Sequence, residues 1–195
     1  METSTKSCEI NIYPDAETLA EAAARSIVTI ADEALQAREK FSIVLAGGST
    51  PKSLYQLLAS EPFKEKIDWT RTLVFFGDER CVPPDSEESN YRMASENLLI
   101  HIPIPPENVF RLRGEIEPEK AAAEYEEIIK ENLGLTPRFD LVLLGVGDDG
   151  HTASLFPNSP ALEETEKLVA ANFVEKLNAY RLTLTLPAIN STRSV

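Results

Sequence analysis

The sequence predicts a layered α/β fold with a mostly parallel sheet, and three observations predict it. Short, almost wholly apolar runs recur at Phe41 to Ala46, Leu73 to Phe76 and Leu141 to Val146, as suits strands covered by helices on both faces. Segments with apolar residues at helical spacing lie between them. Each run ends in a glycine-containing loop, GGSTP, GDER and GVGDDGH. In sheets of this class ligands bind beyond the carboxyl ends of the strands, so these loops are where function is sought.

Taken in order, CEINIY at 8–13 alternates apolar and polar residues and reads as a half-buried strand. Pro14 and Asp15 punctuate it before a helix with Leu19, Ala23, Ile27, Ile30 and Ala34 on one face. The strand Phe41 to Ala46 runs through GGST into a second helix, opened by Pro51 and carrying Leu54, Leu57 and Leu58. Leu73 to Phe76 is the next strand, GDERCVPP a loop, and SNYRMASENLL a helix. Val109 to Leu112 reads as a short strand, and Pro118 to Asn132 as a helix with Ala121, Ala122, Tyr125, Ile128 and Ile129 inward and Gly134 as its stop. After Leu141 to Val146 come strands at Leu168 to Ala171 and Arg181 to Leu186, the second alternating Leu and Thr as an edge or half-exposed strand would. There is no internal repeat, low-complexity tract or linker, so residues 1–195 are expected to form one domain.

Composition narrows the class. A hydrophobic fraction of 43% in 195 residues is ample for a core. A net charge of −13 without a basic stripe argues against a nucleic-acid partner. No apolar run reaches the roughly 18 residues that cross a bilayer, and METSTKSCEI lacks the layout of a signal peptide. The expectation is a soluble, cytoplasmic monomer that acts on a small molecule. Cys8 and Cys81 are too few and too far apart for a disulfide framework or zinc cluster and are expected reduced and buried. Asp85, Glu87 and Glu88 read as a solvated loop, because the spaced ligands and glycine of a calcium loop are missing. An acidic chain still binds an anionic metabolite where a few cations and backbone N–H groups focus positive potential in one cleft.

The three loops supply such groups. At Gly47, Gly48, Ser49 and Thr50 paired glycines let the backbone approach an anion, Thr50 can cap the helix, and Pro51 suits its first turn. The plain alternative is a tight turn before a capped helix, and neither the GxxxxGK[ST] nor the GxGxxG pattern is present. In the second loop Arg80 can hold a phosphate or carboxylate in a two-pronged bond, or form a local salt bridge, and Asp78 is better placed than Glu79 to face a cleft. In the third, Gly145 to Ser154, three glycines in six positions lead into His151, a residue suited to taking a proton from water near neutral pH. His101, in LLIHIPIP, reads as a packed or capping histidine.

Together, LAGGSTPKSLY, FFGDERCVP followed by SNYRM, LLGVGDDGHTASLFPNSPAL and RLTLTLPAIN resemble the 6-phosphogluconolactonase family, in order and over nearly the whole chain. The resemblance implies a Rossmann-like three-layer sandwich shared with glucosamine-6-phosphate deaminases and ribose-5-phosphate isomerases. HTASLFP looks like the lactonase version of the third motif. It further implies hydrolysis of 6-phospho-D-glucono-1,5-lactone in the oxidative pentose phosphate route, without metal or redox cofactor. His151 would be the general base, Gly47, Gly48, Ser49 and Thr50 would receive the phosphate with Arg80 as a cationic contact, and Asp78 or Asp149 would position His151 or the sugar hydroxyls. The nearest alternatives are an isomerase or deaminase of the same fold and a non-catalytic sugar-phosphate-binding fragment. Family members usually continue past the segment matching NSTRSV with a strand, a glycine and lysine turn and a helix. The chain is therefore expected to be C-terminally incomplete and to lack a lysine associated with phosphate binding, with Arg193 read as a surface residue.

Overall fold

The computed structural model describes residues 9–195. The elements run α1 (Ala16–Arg38), β1 (Phe41–Leu45), α2 (Ser49–Leu58), β2 (Thr72–Phe76), β3 (Asp78–Arg80), α3 (Asn90–Asn97), α4 (Pro118–Leu133), β4 (Leu141–Val142), β5 (Val169–Val174), β6 (Ala179–Leu184) and α5 (Leu186–Asn190), with short 3-10 turns between them. β1 and β2 pair in parallel from Phe41↔Thr72 to Leu45↔Phe76, and β4 pairs in parallel on the other side of β1. Every residue of β1 and β2 is buried, as the continuous apolar runs require of strands flanked by helices. Phe75 anchors the core, stacking on Phe110 at 4.8 Å and meeting Phe139 edge-on at 5.2 Å.

The remaining strands form a second, antiparallel sheet in the order β3-β6-β5. The run Arg181 to Leu186 is thus not an edge: β6 is the central strand, and Leu182, Thr183 and Leu184 are all buried. Its Leu/Thr alternation misleads because Thr183 Oγ1 finds partners inside, accepting from the Ser154 N–H and donating to the Leu184 carbonyl.

Other expectations shift in detail. Residues 9–13 form no strand; Ile10 and Ile12 are 81% and 91% exposed, and among the described residues no strand pairs with them. Cys8 lies outside the described residues, and Cys81 is free and half-buried rather than buried. The buried face of α1 is Ala20, Ala24, Ile27, Ala31 and Ala34, rotated from the stripe of larger residues so that alanines let the helix lie close; Leu19 stays 40% exposed. α1 is capped by Asp15, whose carboxylate accepts from the Thr18 N–H at 2.8 Å. Val109 contributes one bridge to Val74 instead of a strand. The run from Leu141 gives only two strand residues, although the Leu143 N–H still reaches the Val44 carbonyl at 3.0 Å. On β4's far side Ser194 pairs in parallel with Leu141.

Candidate active site

Two buried tyrosines fix the strand ends from which the site is built. The Tyr55 hydroxyl, on α2, accepts from the Ala46 N–H at 2.9 Å and donates to the Ala46 carbonyl at 2.8 Å, where β1 ends. The Tyr125 hydroxyl, on α4, accepts from the Phe76 N–H at 2.7 Å, where β2 ends. Burial pushes both phenols upward, so each stays a neutral donor and acceptor. Between β2 and β3 stands Gly77 alone: its N–H donates to Leu45 in the parallel sheet and its carbonyl accepts from Leu184 in the antiparallel one. The sheets part at this residue, and the cleft opens there.

The first loop starts α2 earlier than the sequence suggests. Gly48 is the N-cap, at φ 105°, a conformation that favours glycine, and no side chain caps the helix. Thr50 therefore lies in the first turn and is not the cap. The N–H groups of Ser49 and Thr50 are exposed donors at a helix N-terminus, the arrangement that binds phosphate. Gly47 is required by close packing: a Cβ there would lie 2.0 Å from Asn90 Oδ1.

The second loop divides its two acids. Asp78 faces the cleft, accepting from Ser154 Oγ at 2.7 Å and Asn90 Nδ2 at 3.1 Å. Burial pushes its carboxyl up, against the Ser154 hydrogen bond and the charges of Arg80, Arg181 and His151. Glu79 turns inward, only 2% exposed, and accepts from the N–H groups of Asn90 and Tyr91 and from Ser89 Oγ, so it seats the start of α3. That seat places Asn90 between Gly47 and Asp78. Arg80 lines the cleft and donates to the Glu88 carbonyl, without the local salt bridge weighed as its alternative.

The third loop makes no helix; residues 151–159 form turns laid across the antiparallel sheet. Ser154 pins them: its N–H donates to Thr183 Oγ1, its carbonyl accepts from Asn172 Nδ2 and its hydroxyl donates to Asp78. His151 Nδ1 lies 2.5 Å from Asp149 Oδ1, and the ring stacks on Phe156 with centroids 4.1 Å apart. Lys176 donates to the other Asp149 oxygen and lies 4.6 Å from the centre of the Phe156 ring. Lys176 first, and His151 second, hold the Asp149 carboxyl well below the usual carboxylate range.

Gly47, Gly48, Ser49, Thr50, Asp78, Arg80 and His151 thus line one cleft of about 380 Å³, which is of small-metabolite size. Asp149 stands behind His151 and resolves which carboxylate touches the imidazole. Sequence reasoning missed Asn90, although SNYRM carries it, and Lys176, which no motif marks. Of the other residues weighed, His101 Nε2 meets the Glu96 carbonyl at 3.0 Å as a helix-capping histidine does. Asp85, Glu87 and Glu88 lie exposed in a loop. Arg193 pairs with Asp140 just before β4, at the opposite end of the sheet from the cleft.

A family model described as "Glucosamine-6-phosphate isomerases/6-phosphogluconolactonase" matches residues 14–195. The chain belongs to this family. It is 38% identical, over 95% of its length and 60% of the relative's, to a protein of Arabidopsis thaliana named 6-phosphogluconolactonase 3, chloroplastic. It is 37% identical to a 6-phosphogluconolactonase of Streptomyces coelicolor, covering 96% of this chain and 76% of that one. Among solved structures, 6-phosphogluconolactonase from Trypanosoma cruzi matches with a TM-score of 0.85 at 35% identity, over 96% of this chain and 78% of that one. The chain spans about three fifths of the length of the chloroplastic plant relatives that it matches. No helix among the described residues is long and apolar enough to cross a membrane.

Proposed function

We propose that this chain is a single sugar-phosphate-binding hydrolase domain that opens 6-phospho-D-glucono-1,5-lactone to 6-phosphogluconate, with His151 as general base. The names of its relatives support the substrate. The observation that carries the reading is the placement of His151 on the same cleft as an uncapped helix N-terminus, with Nδ1 engaged by Asp149 and Nε2 left to accept a proton.

The steps follow from that arrangement. The Asp149 carboxylate accepts a hydrogen bond from Nδ1–H and so fixes the tautomer with an unprotonated Nε2. Lys176 neutralises Asp149's other oxygen and restrains it. Nε2 takes a proton from water as the water oxygen bonds to the lactone carbonyl carbon, giving a tetrahedral oxyanion. Collapse breaks the bond from that carbon to the ring oxygen, which takes the proton back from the imidazolium and leaves as a hydroxyl. The phosphate lies on the N–H groups of Ser49 and Thr50, with Arg80 beside it. Asp78, held by Asn90 and Ser154, accepts from a sugar hydroxyl and orients the ring.

The test is hydrolysis of freshly made 6-phosphogluconolactone, corrected for spontaneous opening, beside deamination of glucosamine 6-phosphate. His151→Asn should lower kcat by roughly 10²- to 10⁴-fold with little change in KM, because the base acts in the transition state. Full activity in the variant moves the proton acceptor to Asp78. Deamination without lactone opening assigns the site to the isomerase branch, and ligand binding without either makes it a sensor.

A further inference from the structure

We propose that Arg181 is a second cationic contact for the phosphate, acting with Arg80 across the β3–β6 pair. The inference rests on the sugar-phosphate reading above and adds a residue to it that no loop motif marks.

In the antiparallel register Arg80 stands directly opposite Arg181, and Asp78 opposite Thr183. Side chains at opposed positions leave the same face of a sheet, with Cβ atoms about 4.5–5.5 Å apart, and like charges placed so destabilise it. Both side chains therefore leave one face of the sheet, Arg80 lining the cleft and Arg181 beside it, outside the lining. Among the described residues neither has a carboxylate within ion-pair distance. Seven of the other arginines, Arg25, Arg38, Arg71, Arg92, Arg111, Arg113 and Arg193, do have one, and Arg138 instead donates to the Ser191 carbonyl. Arg181 is half-buried, and its hydrogen bond is to the carbonyl of its own neighbour, Tyr180, at 3.1 Å. It does not donate to Asn172, its register partner on the other side, whose buried Oδ1 has no donor. Burial first, then the charge of Arg80, disfavours the protonated form of Arg181.

Two adjacent, half-buried guanidinium groups without a carboxylate partner cost stability in the unliganded protein. A phosphate dianion reached by both offsets that repulsion and supplies oxygens for their spare N–H donors. Asp78 attracts Arg181 from the same face, and a competing account makes Arg181 merely the counter-ion that lets Asp78 stay charged there. The two accounts predict opposite effects of removing the charge from the unliganded protein.

Calorimetric titration with inorganic phosphate, thermal unfolding without phosphate, and lactone kinetics on Arg181→Gln and Arg181→Lys distinguish them. The expected result for Arg181→Gln is phosphate affinity weakened roughly 10- to 100-fold, the loss of one charge-assisted contact. KM for the phosphorylated lactone should rise by a similar factor, use of unphosphorylated glucono-1,5-lactone should fall far less, and the phosphate-free Tm should be equal or higher. Arg181→Lys should recover part of the affinity. Phosphate binding that is unaltered in the variants or absent from the wild type, or a lower phosphate-free Tm with an unchanged KM, overturns the assignment. If the wild type binds phosphate, Arg181→Gln loses it and neither opens the lactone, Arg181 keeps its role and the hydrolase reading fails.

Discussion

Gly147 offers the sharpest single perturbation of the proposed base. Its φ is not positive, so alanine suits the backbone, yet a Cβ there would lie 2.1 Å from His151 Cε1 and 2.3 Å from Nδ1. Ordinary contact begins near 3.4 Å, so the imidazole must retreat. It has little freedom to do so, because its ring is stacked on Phe156 and its Nδ1 is bonded to Asp149. A retreat of about 1 Å breaks one of these restraints and removes Nε2 from the attacking water, and misplacement on that scale costs about 10²-fold in rate. Gly147→Ala should therefore lower kcat by about that factor. Its Tm should stay within roughly 2 °C of the wild type, because a surface-loop substitution is usually worth less than about 0.5 kcal/mol. Gly145→Ala, where an added Cβ meets nothing within 4 Å, is the control that separates loop chemistry from ring displacement. The assay is initial-rate lactone opening, corrected for the spontaneous reaction, with unfolding curves on both variants. Wild-type kcat in Gly147→Ala would show that His151 does not act from this position.

Two further outcomes follow from buried groups. Tyr55→Phe leaves the Ala46 N–H and carbonyl without their partner; because Ala46 is only half-buried, water can replace part of the loss. The expected cost is about 2 kcal/mol, or roughly 4–8 °C in Tm, with weaker phosphate binding as the glycine loop loosens. An unchanged Tm would mean that the hydroxyl does not fix the end of β1. For Asp78, burial raises the folded-state pKa above the unfolded value, so in that window the folded protein keeps a proton that the unfolded chain releases. Stability is then lost as pH rises from about 3.9 upward through the folded value. Asp78→Asn removes this loss: whatever constant offset the substitution brings, its Tm relative to wild type should climb from acid to neutral pH while activity falls. A flat or declining difference would refute the sign of the shift.

The parallel half of the fold was legible because burial on both faces writes itself as unbroken apolar runs, as at Phe41 to Leu45 and Thr72 to Phe76. The antiparallel half was harder to read. β3 is three polar residues, and β6 hides a buried threonine whose hydroxyl is paid for by Ser154, a partner 29 residues away. The face of α1 was misread because periodicity weights large residues, whereas packing there selected alanines. Gly47 to Thr50, Asp78 and Arg80 were legible because they sit within a few positions of the end of β1 or β2, and His151 because a run of glycines precedes it, whereas Asn90, on α3, carries no such signal. Lys176 and Arg181 were not, since a lysine in a surface turn and an arginine in a strand acquire meaning only from the register that places them beside Asp149 and Arg80.

That register originates at Gly77. Because one residue ends the pairing with β1 and begins the pairing with β6, β3 continues the line of β2 while its neighbour changes from one sheet to the other. The space above the end of β1 is left to the glycine loop, and the His151 loop crosses the antiparallel sheet on the face that carries Asp78 and Thr183. On the proposed reading, two anion-binding devices of different kinds, the α2 N-terminus and the guanidinium groups on β3 and β6, serve one opening in a chain of net charge −13. Moving the β3–β6 pairing by one residue would put Asp78 and Arg80 on the opposite face from Arg181 and Thr183. The proposed hydroxyl acceptor and the two guanidinium contacts are therefore set by the same ladder, and a substitution that slipped it should weaken phosphate binding and turnover together.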